Sequence, residues 1–277
     1  MLIAQLTDLH VRPSGIPAYR VVDTNMLVER AFAAVAALRP VPDAVILSGD
    51  LTDKGLAEEY DILAALLRRY LAMPVFLIPG NHDRREVMKE RLAHLPGVAA
   101  DPEFVHYAVE DFPLRLVMLD SVAPGYGHGE LCAARLDFLE RTLAAAPEKP
   151  TVVALHHPPI RCGIEHMDEI NLRSADAFAT VIARHPQVER VLCGHHHRPI
   201  VARFAGTLVQ VAPSVAHQVK LDLEPGAEGL FVMEPPGYLL HRWEPGAGLV
   251  SHHAYVESYP GPYPFAEDKD PAGAMTG

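Results

Sequence analysis

Short apolar runs along this chain end, one after another, in side chains of the kind that bind metal ions. LIAQLT precedes Asp8 and His10, AVILSG precedes Asp50, VFLIPG precedes Asn81, TVVAL precedes His156, and RVLCG precedes His195 and His197. Apolar runs without polar alternation read as strands covered on both faces. The carboxyl ends of such strands are where open α/β sheets hold ligands. The pattern therefore predicts seven donors gathered along one sheet edge. In Asp8-Leu9-His10 and His195-His196-His197 the donors are two residues apart, so in extended backbone both point the same way. Gly49-Asp50 and Gly80-Asn81-His82-Asp83 set a carboxylate and an amide on tight turns. Mixed imidazole and oxygen donors suit first-row transition ions better than Ca²⁺ or Mg²⁺. Seven donors exceed what one tetrahedral ion takes. Two cations sharing a carboxylate is the economical reading.

The segments between these runs have helical character. Helices are expected over 23–38, 56–70, 133–146 and 172–184, and further strands at 104–109 and 114–120, with a mixed stretch near 84–100. Residues 1–213 are thus expected to form an α/β domain with a mainly parallel core and some antiparallel additions, the domain that would carry the catalytic site under the resemblance given below. Beyond it, turn clusters at 224–229, 234–237 and 244–248 punctuate short β-like runs. Residues 214–277 are read as a C-terminal β extension, a cap or a dimerisation element, ending in a Pro/Gly-rich tail.

A net charge of −11 over 277 residues disfavours nucleic-acid polymers and anionic membranes as partners. A small anionic substrate remains compatible, because bound cations would make the site locally positive. Cys132, Cys162 and Cys193 form no CxxC pair and no disulfide framework, which points to a reducing compartment. No basic leader and no apolar stretch of membrane-spanning length is visible, so the expected location is the cytoplasm.

The set DLH, GD, GNHD, HHPP and GHHH, in this order over about residues 1–212, resembles the five signature blocks of the calcineurin-like metallophosphoesterase superfamily. The HHPP block and compact spacing resemble class III cyclic-nucleotide phosphodiesterases. SVAHQV at 214–219 and YPGPYPF at 259–265 extend the similarity to the bacterial glycerophosphodiesterase subgroup. The resemblance implies a layered β-sandwich core of mainly parallel mixed sheets flanked by helices. It implies one divalent ion (Mn, Fe, Co or Zn) on Asp8, His10 and His197 and a second on Asn81, His156 and His195, with Asp50 bridging both. It further implies hydrolysis of glycerophosphodiesters or 3′,5′-cyclic nucleotides by in-line attack of a metal-bridging hydroxide. His82 would be the general acid or a donor to phosphate, with Asn81 and His217 positioning substrate. A homodimer or higher homo-oligomer is implied as well.

Two positions depart from relatives within that superfamily. Asp53 stands where purple acid phosphatases place a tyrosine ligand, which argues against a phenolate-bound ferric ion. Lys54 replaces the phosphate-clamping arginine of protein Ser/Thr phosphatases, and lysine cannot make the same bidentate fork. His157 and His196 neighbour proposed ligands and should face away, while Asp53 and Asp83 should cap turns or orient ligand histidines. A phosphomonoesterase or nucleotide pyrophosphatase is the rival reading, with Arg12, Arg20, Arg161 and Arg198 near the motif loops as possible clamps. A non-catalytic scaffold of the same fold is the rival from another class. Tyr19 and Asn25 lie where they could reach substrate.

Overall fold

The computed structural model describes residues 1–264. The part of the expected tail from 265 to 277 lies outside the described residues. The chain runs β1 (Leu2–Leu6), α1 (Thr24–Ala37), β2 (Ala44–Ser48), α2 (Ala57–Tyr70), β3 (Val75–Ile78), α3 (Arg85–Leu92), β4 (Tyr107–Val109) and β5 (Arg115–Met118). It continues through α4 (Ala133–Ala144), β6 (Thr151–Ala154), α5 (Glu165–Asp168), α6 (Ala175–Ile182) and β7 (Val188–Cys193). Six strands follow: β8 (Ile200–Phe204), β9 (Thr207–Val211), β10 (Gln218–Val219), β11 (Phe231–Val232), β12 (Gly237–Glu244) and β13 (Gly248–Tyr255). The expected helices and strands recur with shifted ends, whereas the β8–β9 hairpin carries no strong apolar alternation and was not anticipated. The three C-terminal turn clusters fall between β10 and β11, β11 and β12, and β12 and β13.

Two large sheets result, ordered β13-β12-β1-β2-β3 and β4-β5-β6-β7-β9-β8, with a separate two-stranded sheet of β10 and β11. In the first sheet β1, β2 and β3 are parallel, with β3 at one edge and antiparallel β12 and β13 at the other; in the second, parallel β5, β6, β7 and β9 are flanked by antiparallel β4 and β8. Parallel neighbours need crossovers. Helices α1 and α2 supply them in the first sheet, α4 and α6 in the second. The continuous apolar character of the central strands has a direct cause in this layering. Along β5 and β6, Leu116, Met118, Val152 and Ala154 join the cluster shared with the first sheet. Their alternates Val117, Leu119, Val153 and Leu155 pack instead with Leu139, Leu143 and Phe178 of α4 and α6. The first cluster continues through the first sheet to Val28 and Phe32 of α1 and Tyr60 and Leu63 of α2. The architecture is helix, sheet, sheet, helix.

Residues 214–264 divide in two. Strands β12 and β13 complete the first sheet, with β12 antiparallel to β1 from Leu2↔Arg242 to Gln5↔Leu239. Tyr238, Trp243, Leu249 and Val256 share the cluster of Ile3, so packing does not break at residue 213. The short β10–β11 pair lies at the mouth of the cavity described below. Among the described residues, no helix is long and apolar enough to cross a membrane.

A buried polar thread crosses the space between the sheets. His241 contacts Gln5 Oε1 through Nε2 (3.0 Å) and Ser251 Oγ through Nδ1 (2.7 Å). Gln5 Nε2 donates to Ser48 Oγ (2.9 Å) and to the Cys193 carbonyl (3.0 Å). Burial, helped by Arg190, pushes the His241 imidazole down to about 3 from its ordinary 6.5. The folded state therefore binds this proton less readily than the unfolded chain. Stability is full above pH 6.5 and falls as pH drops from there toward 3. Between pH 7 and pH 5 this one group is expected to cost about 2 kcal/mol. Urea unfolding of the metal-free protein should show that share of the pH slope vanish in His241→Gln; parallel slopes for both proteins would refute it.

Candidate metal centre

The loops that leave β1, β2, β3, β6 and β7 converge at the carboxyl ends of these strands. Because the strands belong to both sheets, the seven predicted donors do not line one sheet edge as the sequence suggests. They are supplied from two facing edges. Hydrogen bonds stitch the loops together: Asp8 N to the Gly49 carbonyl (3.0 Å), His10 N to the Asp50 carbonyl (3.0 Å), and His195 N to Asp8 Oδ2 (3.0 Å). Eight non-glycine residues among those described have positive φ, and five of them are Asp8 (53°), His10 (49°), Asp50 (48°), His195 (71°) and His197 (51°). The left-handed region costs an L-residue about 1–2 kcal/mol, and such strain concentrates where geometry serves function. A side chain on Gly49 would collide with the His156 ring, and one on Gly80 with the Asp50 carboxylate. Only glycine permits these approaches.

Asp83 ties the second and third loops. Its carboxylate accepts from the backbone N–H of Leu51 (3.0 Å), Thr52 (3.1 Å) and Gly80 (2.9 Å) and from the hydroxyls of Thr52 (2.9 Å) and Tyr60 (3.0 Å). Burial and the neighbouring Asp50 push it up to about 6 even so. Asp53 Oδ1 lies 3.5 Å from His10 Nδ1, within ion-pair reach but long for a hydrogen bond. Arg12, anticipated as a possible phosphate clamp, is spent on Asp53 (3.1 Å) and Glu59 (3.3 Å).

The donors fall into two groups around Asp50. In one, His10 Nε2 and His197 Nε2 are 3.2 Å apart, and His197 Nε2 is 3.2 Å from Asp8 Oδ1. Two ring nitrogens this close can share a cation held about 2.0–2.1 Å from each. In the other, His156 and His195 have ring centroids 5.1 Å apart. Asp50 Oδ2 stands between, 3.8 Å from His10 Nε2 and 3.4 Å from His156 Nε2, while Asp50 Oδ1 accepts the His82 N–H at 2.9 Å. The outer ring nitrogens have partners that settle the tautomers. His156 Nδ1 donates to the Ser48 carbonyl (2.8 Å) and His197 Nδ1 to the His217 carbonyl (2.8 Å), leaving each Nε2 lone pair turned inward. His195 Nε2 donates to the Ile170 carbonyl (3.0 Å), so its Nδ1 is the inward nitrogen.

Buried His156 Nε2 and Asn81 Oδ1 have no hydrogen-bond partner. An unpartnered buried donor or acceptor is costly, and a cation among these nitrogens and oxygens would satisfy both. The residues therefore fit divalent metal. The protein's own field agrees. Burial works to raise Asp50, but His156, His82 and His10 outweigh it and hold the carboxylate well below its usual range. Burial opposes protonation of His156, yet Asp50 and Asp8 raise it to about 9. A metal would displace that proton. Burial and the adjacent His157 and His156 rings keep His195 neutral.

One ring nitrogen of His196 meets Asn171 Oδ1 (2.7 Å), away from the centre as expected. His157, by contrast, meets Ser121 Oγ through Nδ1 (2.8 Å) but keeps its ring 4.7 Å from that of His195, close enough to join His156 and His195 around an ion. Asn25 is engaged with the backbone of Arg12 (2.9 and 2.8 Å) rather than facing substrate. His82 is held by Nδ1–H donating to the Asp53 carbonyl (2.9 Å), with Nε2 4.0 Å from Asp50 Oδ2. A cavity of about 240 Å³ opens over the centre, lined by His10, Asp50, Asn81, His82, His195, His197 and His217. Tyr19, His166, Met167, Ile170, Val219, Gly229, Leu230 and Phe231 complete its wall. Apart from Tyr19, the sequence offers no local signal for this second set. No lysine or arginine is among these lining residues; Arg198 donates instead to the backbone carbonyl of lining Val219 and to Glu234.

Residues 1–199 match the family described as Calcineurin-like phosphoesterase. Over 270 residues the chain is 37% identical to the Probable glycerophosphodiester phosphodiesterase GpdQ of Arcobacter nitrofigilis, covering 97% of this chain and 98% of that one. It is 33% identical over 218 residues to the 3′,5′-cyclic adenosine monophosphate phosphodiesterase CpdA of Escherichia coli K12, covering 79% and 77%. A dimetal phosphatase from Danio rerio has a similar fold, with a TM-score of 0.63 at 15% identity over 93% of this chain and 99% of that one.

Proposed function

This chain belongs to the calcineurin-like phosphoesterase family, and we propose that it is a phosphodiesterase using two divalent cations to hydrolyse glycerophosphodiesters or 3′,5′-cyclic nucleotides. One observation carries the reading: Asp50 Oδ2 sits between His156 Nε2 (3.4 Å) and His10 Nε2 (3.8 Å). Asp8, His10 and His197 would hold one cation, Asn81, His156 and His195 the other, and Asp50 both. Bound there, the ions supply a water activated at neutral pH and neutralise charge on the phosphoryl oxygens. Manganese, iron, cobalt and zinc all suit these nitrogen and oxygen donors.

The side chains around the centre handle orientation and protons. With Nδ1–H held on the Asp53 carbonyl, His82 would pass a proton from Nε2 to the departing alkoxide in its imidazolium form. The Asn81 side-chain nitrogen is the donor offered to a phosphoryl oxygen, and His217 stands beside His197 at a ring separation of 4.7 Å to steady the ester group. The three cysteines are unpaired, which accords with a reducing cytoplasm. Exposed Leu221, Leu223 and Met233 on the C-terminal segment support a homo-oligomer.

A phosphomonoester brings a dianion, and its extra charge calls for cationic side chains that the lining residues lack. With Mn²⁺ added, kcat/KM for bis-p-nitrophenyl phosphate is expected to exceed that for p-nitrophenyl phosphate by about tenfold or more, or ~1.4 kcal/mol of transition-state stabilisation. A monoester preference would favour the phosphatase reading, and turnover of neither would favour a scaffold.

A further inference from the structure

Beside the candidate centre, three aromatic rings in mutual contact wall the cavity. The ring centroids of Tyr19 and His217 are 5.1 Å apart, those of Tyr19 and Phe231 5.2 Å, and those of His217 and Phe231 5.3 Å. Each arrives from a different stretch of chain. Tyr19 and Arg20 form the tip of a turn closed by Ala18 N to the Val22 carbonyl (2.8 Å) and Val22 N to the Ala18 carbonyl (2.9 Å). Their φ values of 47° and 68° lie in a region that such tips usually give to glycine or asparagine. The strain is held by packing: Ala18, Val22, Leu27 and Ala216 make a small buried cluster separate from the main cores, and Phe231 packs on it. Phe231 is brought in by the β10–β11 pair, opposite Val219.

The wall has a defined chemistry. Tyr19 is 51% exposed, so ring surface faces solvent, whereas His217 is 3% exposed and its Nδ1 lacks a hydrogen-bond partner. Asp50, committed to the centre, is the only carboxylate among the lining residues. A cationic head group would find no counter-ion of its own, and rings already in contact leave no interior to enclose one. A polyol would leave most of its hydroxyls against apolar surface. A flat heteroaromatic finds ring surface to stack on at the exposed Tyr19 beside Phe231.

Resting on the phosphodiesterase reading above, we propose that Tyr19, His217 and Phe231 form a stacking wall for a nucleobase and so select nucleotide-type diesters over glycerol-type ones. Adenosine 5′-monophosphate and ribose 5-phosphate isolate the base, because they share sugar and phosphate. Calorimetric titration of the manganese-loaded full chain is expected to show the adenine compound binding about 5- to 100-fold tighter. Phe231→Leu, which keeps apolar volume but loses the ring, and Tyr19→Ala should each bring that ratio close to one. Phe231→Tyr should restore it. Equal binding by the wild type, no binding of the nucleotide, or a ratio unmoved in both variants would overturn the wall. Binding of the nucleotide without any binding of ribose 5-phosphate would uphold the wall and count against the metal-centre reading instead.

Discussion

Asp50→Ala is expected to abolish turnover, by about 10³-fold or more, and to strip metal from the protein. The size follows from position. Asp50 Oδ2 faces both donor groups, and the carboxylate is the charge that His156, His82 and His10 all meet. Removing it takes a ligand from each site and leaves His156 without the partner that raises it to about 9. Asp50→Asn separates charge from shape, since Oδ1 could still accept the His82 N–H. Elemental analysis after gel filtration, alongside diester turnover, reads both effects. Wild-type activity in Asp50→Ala would eliminate the bridging role.

His82→Ala should lower turnover by about 10²–10⁴-fold, the range of a positioned proton donor, with both cations retained. The ring is pinned by the Asp53 carbonyl rather than by a proposed ligand, so its removal should leave the donor groups in place. The deficit should shrink as the leaving alcohol becomes more acidic, because a good leaving group needs no proton. An equal loss across a series of leaving groups would assign His82 to phosphate binding or to support of the loop. Metal loss in His82→Ala would point the same way.

Most of the donor set was legible from the primary structure because each element of the pattern is local. A buried strand announces itself as an apolar run, a tight turn as glycine, and a pair of same-side ligands as a spacing of two. The roles suggested for Asp53 and Asp83 were readable on the same basis. Asp83 clamps two loops, and Asp53 stands near His10. The left-handed backbone at Asp8, His10, Asp50, His195 and His197 was not readable, because nothing in those residue types demands it. Nor was the commitment of Arg12 to Asp53 and Glu59, which removes it from the candidates for substrate contact. Phe231 lies in a stretch whose composition marks only a turn-rich segment. Its place against Tyr19 and His217 depends on where β10 and β11 carry it.

The alternation of strands and helices as far as β7, the candidate donors at strand ends and the turns that carry them were legible in the amino-acid sequence alone, since side-chain periodicity and turn chemistry act over a few residues. Only the tertiary structure decided that two sheets face each other and share the donors between them. It alone paired β12 with β1 and brought the 219–231 segment over the cavity. Those outcomes join residues as distant as Leu2 and Arg242. Such pairings are selected by burial of apolar surface across whole layers, and no local propensity encodes them.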